Sequence, residues 1–393
     1  MKVIFIQSVL LSVLFGAIFS LSASAKPLKV YILAGQSNME GHAQTKTFPA
    51  VARDPKTKRL HDKMVGADGK ALVHEDIPIA YAYGDFGGNM VGRKHGKLTS
   101  GFGSQHHVGT GKIGPELTFG ITMHELDGDP ILLIKNAWGG KSLMVDFRPP
   151  SGGALADDHK AKDKAGAYYK EVVKHVKDVL ADPGKVYPEY NEEAGYEIAG
   201  FVWFQGFNDL VGPYPRTDPE KGKKSIKDYS EYSRLMACFI RDIRKDLGVP
   251  KMPFVIGVLG TGGATTGDGT EAFRNAMAAP AALDEFKGNV AAVYTHEYWP
   301  TELDVVRAKR DAVYKPFAQR EREAKKLEGS ERKKVLAEIN AEKNAAVAKA
   351  LSKDDVWLLE NGISNQGFHY WGSAKFFAQI GEAFARAMVD LQK

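Results

Sequence analysis

Ser37, His369, Asn208 and the pair Gly139-Gly140 are the residue types that acyl transfer needs, and each stands near the end of an apolar run or the start of a helix. Serine is a poor nucleophile at its own pKa and needs an adjacent base, most often histidine. The oxyanion that forms on the attacked carbonyl needs donors already in place, and losing one typically costs about 3 kcal/mol. Ser37 follows Val30-Tyr31-Ile32-Leu33-Ala34-Gly35-Gln36, a run that reads as a buried strand ending in a tight strand-to-helix turn. Such a turn lifts Oγ above the sheet edge beside backbone N–H groups. The same pattern also describes a plain strand–loop–helix junction, because serine commonly starts helices.

The elements that must position these residues follow the same logic. Pro130 to Ile134 reads as a second buried strand, running through Asn136-Ala137-Trp138 into Gly139-Gly140-Lys141-Ser142, where paired glycines bring backbone to the sheet edge. Ile198 to Phe204 is a third, leading into Gln205-Gly206-Phe207-Asn208-Asp209. Phe254 to Leu259 and Val290 to Tyr294 are a fourth and fifth. Helices are expected from Gly114-Pro115-Glu116 onward, over Tyr169 to Leu180, over Tyr229 to Leu247 and over Ser373 to Leu391. Strands alternating with helices imply an α/β fold, a doubly wound, mostly parallel five-stranded sheet flanked by helices, with its site at the carboxyl ends of the strands. The segment from His42 to Gly111 lacks periodicity and reads as extended surface loops, with His106-His107 as solvated loop histidines. Lys, Glu, Ala and Arg dominate residues 316–351, which reads as a helical hairpin appended within an insertion at about 303–352. Val356 to Leu359 reads as a short final strand.

Composition narrows the class further. The 393 residues carry 53 basic and 48 acidic side chains, a net charge of +5, which makes no case for a nucleic-acid partner. A single cysteine, Cys238, excludes an intramolecular disulfide and a cysteine-rich metal site. Lys2, the apolar run Val3 to Leu21 and the small-residue pattern Ala23-Ser24-Ala25 predict a signal peptide over residues 1–25, with cleavage after Ala25. The expectation is a secreted or periplasmic protein, residues 26–393 forming one domain with no membrane attachment after cleavage.

The joint pattern resembles a known family. Gly35-Gln36-Ser37-Asn38-Met39 is similar to the nucleophile block of the SGNH hydrolases, and more narrowly to their sialate O-acetylesterase-like and acetylxylan-esterase-like carbohydrate esterase branch. Trp138-Gly139-Gly140-Lys141-Ser142 resembles the second block. Trp203-Phe204-Gln205-Gly206-Phe207-Asn208-Asp209 resembles the third, and Gly114-Pro115-Glu116 a recurrent element of the branch. The resemblance implies Ser37 as nucleophile and His369 as base. It implies an oxyanion hole from Ser37, Gly140 and Asn208, with Gln36, Gln205, Gly139 and Gln366 in support. It also implies an acetylated carbohydrate substrate and no metal or cofactor.

Two positions depart from the pattern. The family's acid lies three residues before the histidine, where this chain has Gln366. The branch often has Glu where Phe207 stands. Three outcomes follow: a Ser–His dyad aided by Gln366, an acid supplied from elsewhere (Asp209, Glu297 or Glu360), or a weakened enzyme. Trp138, Trp203, Trp299 and Trp371 are candidate sugar-stacking residues. The rival readings are a non-catalytic carbohydrate-binding protein on the same fold and a lipase-like or thioesterase-like SGNH hydrolase.

Overall fold

The computed structural model describes residues 26–105, 111–218 and 225–393. The predicted signal peptide and His106-His107 lie outside the described residues. Seven strands form one sheet: β1 (Leu28–Gly35), β2 (His74–Gly84), β3 (Met90–Leu98), β4 (Ile131–Ala137), β5 (Tyr196–Phe204), β6 (Phe254–Val258) and β7 (Val290–Tyr294). Their order is β3-β2-β4-β1-β5-β6-β7, parallel throughout except for the antiparallel β2–β3 hairpin. The α/β class and parallel core agree with the sequence reading; the count of five strands does not.

The two extra strands come from the segment read as loops. β3 is an edge strand, Met-Val-Gly-Arg-Lys-His-Gly-Lys-Leu, with only its last residue buried. Charge on an edge strand blocks further pairing, and it also erases the apolar alternation that would announce a strand. Arg93 on β3 ion-pairs with Glu171 and Asp178, each at 2.6 Å, from the helix Ala167–Leu180.

Central strands read as continuous apolar runs because both faces are covered. One face carries the helices Glu116–Asp127 and Ala374–Gln392, with Phe119 edge-on to Tyr31 and Phe384 edge-on to Phe204. The other carries Ala167–Leu180 and Ser230–Asp246, whose Phe239 packs against Tyr169, Phe201 and Trp203.

Residues Val356 to Leu359 are helical, within Lys353–Asn361. The cause is local: Ser352 Oγ accepts from the Asp355 N–H at 3.1 Å while Asp355 accepts from the Ser352 N–H at 3.2 Å. This reciprocal cap outweighs the strand preference of a short apolar run. The charged segment forms the helices Thr301–Tyr314, Ala318–Ala324 and Gly329–Ala350, and Leu303 and Val306 join Leu351 and Ile363 in a small second core.

A fully buried ion pair crosses between β4 and the helix after Pro115. Lys135 Nζ donates to Glu116 Oε2 at 2.7 Å, to the Glu40 carbonyl at 2.8 Å and to the Phe102 carbonyl at 2.7 Å. Burial pushes the Glu116 carboxyl up and the Lys135 amine down, and each charge opposes the other's shift. Removing one partner strands the other. Lys135→Met is therefore expected to lower the unfolding free energy by about 3–5 kcal/mol, and Lys135→Met/Glu116→Leu by distinctly less. Urea unfolding of both variants checks this, and equal losses would contradict it.

Candidate active site

Strand register brings three loops to one edge. Gly35 at the end of β1 pairs with Ala137 of β4 on one side and with Phe204 of β5 on the other. Residues 36–37, 138–140 and 205–208 therefore emerge side by side, where the chain switches from one half of the sheet to the other. Gly35 is required there, because a Cβ would collide with the Phe204 carbonyl oxygen. The chain then turns into the one-turn helix Ser37–Glu40.

A cleft of about 500 Å³ opens above this edge. Gln36, Ser37, Gly139, Gly140, Asn208, Gln366 and His369 all line it. Gln205, the remaining residue singled out from sequence, is buried beneath it.

Gln36 is the hub below the cleft floor. Its Oε1 accepts from Gln205 Nε2 at 3.1 Å, the Gly206 N–H at 3.1 Å and the Asn208 N–H at 3.2 Å. Its Nε2 donates to Asn208 Oδ1 at 2.9 Å, and Asn208 Nδ2 donates to the Gly140 carbonyl at 2.9 Å. The three loops are thus joined through two side-chain amides whose orientation is fixed at both ends. Asp209 secures the β4 loop from below, accepting from the Leu143 and Met144 N–H groups at 2.8 and 3.0 Å, from Gln205 Nε2 at 2.6 Å and from Tyr214 Oη at 2.8 Å. Burial pushes its carboxyl up, against these donors. With its oxygens committed there, Asp209 is not the missing acid. Glu297 and Glu360 are exposed and do not line the cleft.

The partner of His369 is a correction to the sequence reading. Nδ1 of His369 lies 3.0 Å from Asn365 Oδ1, four residues earlier, and Gln366 does not fill that place. Asn365 Oδ1 also accepts from the Gln366 N–H at 2.8 Å, which identifies that atom as the oxygen. Nδ1 of His369 must then donate, leaving the Nε2 lone pair as the basic site. The physical reason for the shift is the turn itself. Tyr370 and Trp371 have φ of 51° and 59°, a left-handed conformation that folds the Trp371 carbonyl back to accept from the Ser364 and Asn365 N–H groups at 2.8 and 2.9 Å.

His42 stacks on His369 with ring centroids 3.8 Å apart and planes 3° from parallel, and its Nε2 lies 3.8 Å from Glu40 Oε2. Burial, then the His42 ring and Lys112, push His369 down to about 2, so it rests neutral near pH 7. Ser37 Oγ and His369 share the cleft without a direct hydrogen bond among the described residues, as is common before substrate binds. Asn38 Nδ2 ties the serine helix to the histidine loop through the Phe368 carbonyl at 3.3 Å. Among the described residues no cluster of three or more His, Cys, Asp or Glu side chains is arranged to hold a metal ion.

The four tryptophans are packing residues: Trp138 and Trp203 are fully buried, Trp299 nearly so, and Trp371 Nε1 donates to Asp304 at 2.7 Å. Sequence reasoning passed over Asn365, His42 and Phe368. His42 lies five residues after Ser37 in the same block, the nearest thing to a signal for it.

A doubly wound sheet with a cleft at its switch point defines the class: an α/β protein whose candidate ligand site lies at the strand carboxyl ends. The chain belongs to the family described as carbohydrate esterase, sialic acid-specific acetylesterase, whose profile matches residues 27–300. Among solved structures it is similar to an Arabidopsis thaliana protein at 18% identity and TM-score 0.40, covering 68% of this chain and 86% of that one. It is also similar to a carbohydrate acetylesterase of Xanthomonas citri at 16% identity and TM-score 0.39, covering 67% of this chain and 49% of that one. No curated protein matches the chain.

Replacing the neutral amide beside His369 with a carboxylate favours the protonated ring. Asn365→Asp is therefore expected to raise the His369 pKa by about 1–3 units. NMR titration of the imidazole checks the direction, and an unchanged or lower value would contradict it.

Proposed function

We propose that the protein is a secreted serine esterase that removes O-acetyl groups from carbohydrates. The observation that carries this reading is that Ser37 and His369, 332 positions apart, line one cleft with the basic Nε2 of the histidine unengaged by Asn365. Family membership supports the ester-hydrolase class. The run Val3 to Leu21 with Ala23-Ser24-Ala25 supports export.

Chemically, Ser37 Oγ adds to the acetyl carbonyl carbon while His369 Nε2 takes its proton. The oxyanion is met by the Ser37 and Gly140 N–H groups and by Asn208 Nδ2. An amide nitrogen carries two protons; Gly140 takes one, and the other is left for the oxyanion. Gln36 keeps the Asn208 amide from flipping, because its own Nε2 must face the Asn208 oxygen. His369 next delivers its proton to the departing sugar oxygen, then deprotonates the water that cleaves the acetyl-serine. Gln205 and Gly139 support the oxyanion loops, and Gln366 lines the cleft beside the base.

A second reading has one observation in its favour. Asn365 is neutral, so it stabilises the imidazolium formed during turnover less than the carboxylate of a triad would. That would leave a carbohydrate-binding protein with residual turnover.

Kinetics on 4-nitrophenyl acetate separate the two. Ser37→Ala is expected to abolish turnover, and Asn208→Ala to lower kcat by about 10²–10³. Hydrolysis that survives Ser37→Ala would refute the mechanism. The low pKa of His369 sets the pH dependence: the neutral base persists as pH falls, so kcat/KM at pH 5.5 is expected to stay within about twofold of its pH 7.5 value. An ordinary imidazole would lose about tenfold over that range.

A further inference from the structure

We propose that the cleft contains a sugar subsite made of phenylalanine, in which Phe207, Phe368 and Phe86 receive the apolar face of a neutral pyranose bearing the acetyl ester. This rests on the esterase reading and names the group that leaves.

Three observations converge. Phe207 directly precedes Asn208 and Phe368 directly precedes His369, so two aromatic rings are tethered to groups of the reacting centre. The rings lie 5.6 Å apart at 35°, and Phe368 stands edge-on to the His369 ring at 4.5 Å. Both line the cleft, and Phe368 is 42% exposed. The third ring, Phe86, is 89% exposed at the turn between β2 and β3. That turn is anchored, with Tyr168 Oη donating to the Gly88 carbonyl at 2.7 Å and Gly88 packed on the Gly139 carbonyl.

Strand order then decides where the rings stand. β2 lies on one side of β1 and β5 on the other, so Phe86 and the Phe207–Phe368 pair flank Ser37. Isolated exposed phenylalanines mean little, but three on one polar-floored cleft form an apolar surface of the kind that marks ligand grooves. An aromatic face suits the axial C–H face of a pyranose while leaving its hydroxyls in water. Phe207 is also the position where the resembling branch often has Glu. The cleft's charges favour a neutral sugar: no arginine lines it among the described residues, and of its two buried charged side chains, Glu40 and Lys112, burial pushes the Lys112 amine down while the Glu40 carboxylate opposes that shift.

The test compares a monoacetylated methyl xyloside with methyl acetate, which presents the same acyl group without a ring. In Phe207→Ala, Phe86→Ala and Phe368→Leu, the ratio of kcat/KM for xyloside over methyl acetate is expected to fall about tenfold, chiefly through KM. Equal losses on both esters would overturn the subsite. O-Acetylated sialic acid processed better than the xyloside would overturn its neutral character. Binding is read separately by ligand NMR of the xyloside on Ser37→Ala protein, where adding Phe207→Ala is expected to weaken it about tenfold. Absence of Ser37-dependent hydrolysis of methyl acetate would instead sink the esterase reading, whatever the binding data give.

Discussion

One side-chain amide, that of Gln36, ties the reacting edge of the sheet together. Its oxygen takes three N–H donors from the β5 loop and its nitrogen holds the oxygen of Asn208. A carboxylate at this position would have no proton for Asn208, and an apolar side chain would leave buried donors unpaired, each costing about 1–3 kcal/mol. The parallel register supplies the coarse alignment and Gln36 the fine one. Asn208 then reaches the Gly140 carbonyl, and Asp209 clamps the following residues of the β4 loop. What acyl transfer needs is donors that do not reorganise as charge develops, and this network is a physical account of why they would not.

His369, the proposed base, is held by a different principle. Tyr370 and Trp371 occupy left-handed backbone, at about 1–3 kcal/mol each, and the surroundings leave them little alternative. Tyr370 is fully buried, stacked at 3.7 Å on Phe376, and accepts the Gly260 N–H at 2.8 Å. Trp371 is bonded to Asp304, with the Arg307 guanidinium 4.6 Å over its ring. Both of those residues belong to the helix Thr301–Tyr314, so the insertion read at about 303–352 opens with a helix that supports the histidine loop.

Much of this was legible in the sequence, for physical reasons that also mark where reading stops. β1, β4 and β5 are apolar over most of their length because helices cover both faces, and the loops that follow them carry the polar residues that meet in the cleft. The β2–β3 hairpin was invisible because its edge strand is charged and its pairing is long-range only on one side. The run Val356 to Leu359 misled because a capping box, made by Ser352 and Asp355, acts from outside the window that suggests a strand. Asn365 escaped notice because the spacing that points to Gln366 assumes an ordinary turn, and two left-handed residues change which side chain comes round to Nδ1. Trp138 and Trp203 are buried while Phe86 and Phe368 are exposed in the cleft, since exposure is a property of the packed molecule and cannot be read from residue type.

The account stands or falls on covalent chemistry at Ser37. Acid quenching of the protein during turnover of an acetyl ester, followed by peptide mass spectrometry, should find the acetyl group on the peptide containing Ser37, and not in the His369→Ala variant. An acetyl group on a different residue, or turnover with no acetylated peptide when water attack is made the slow step, would contradict it.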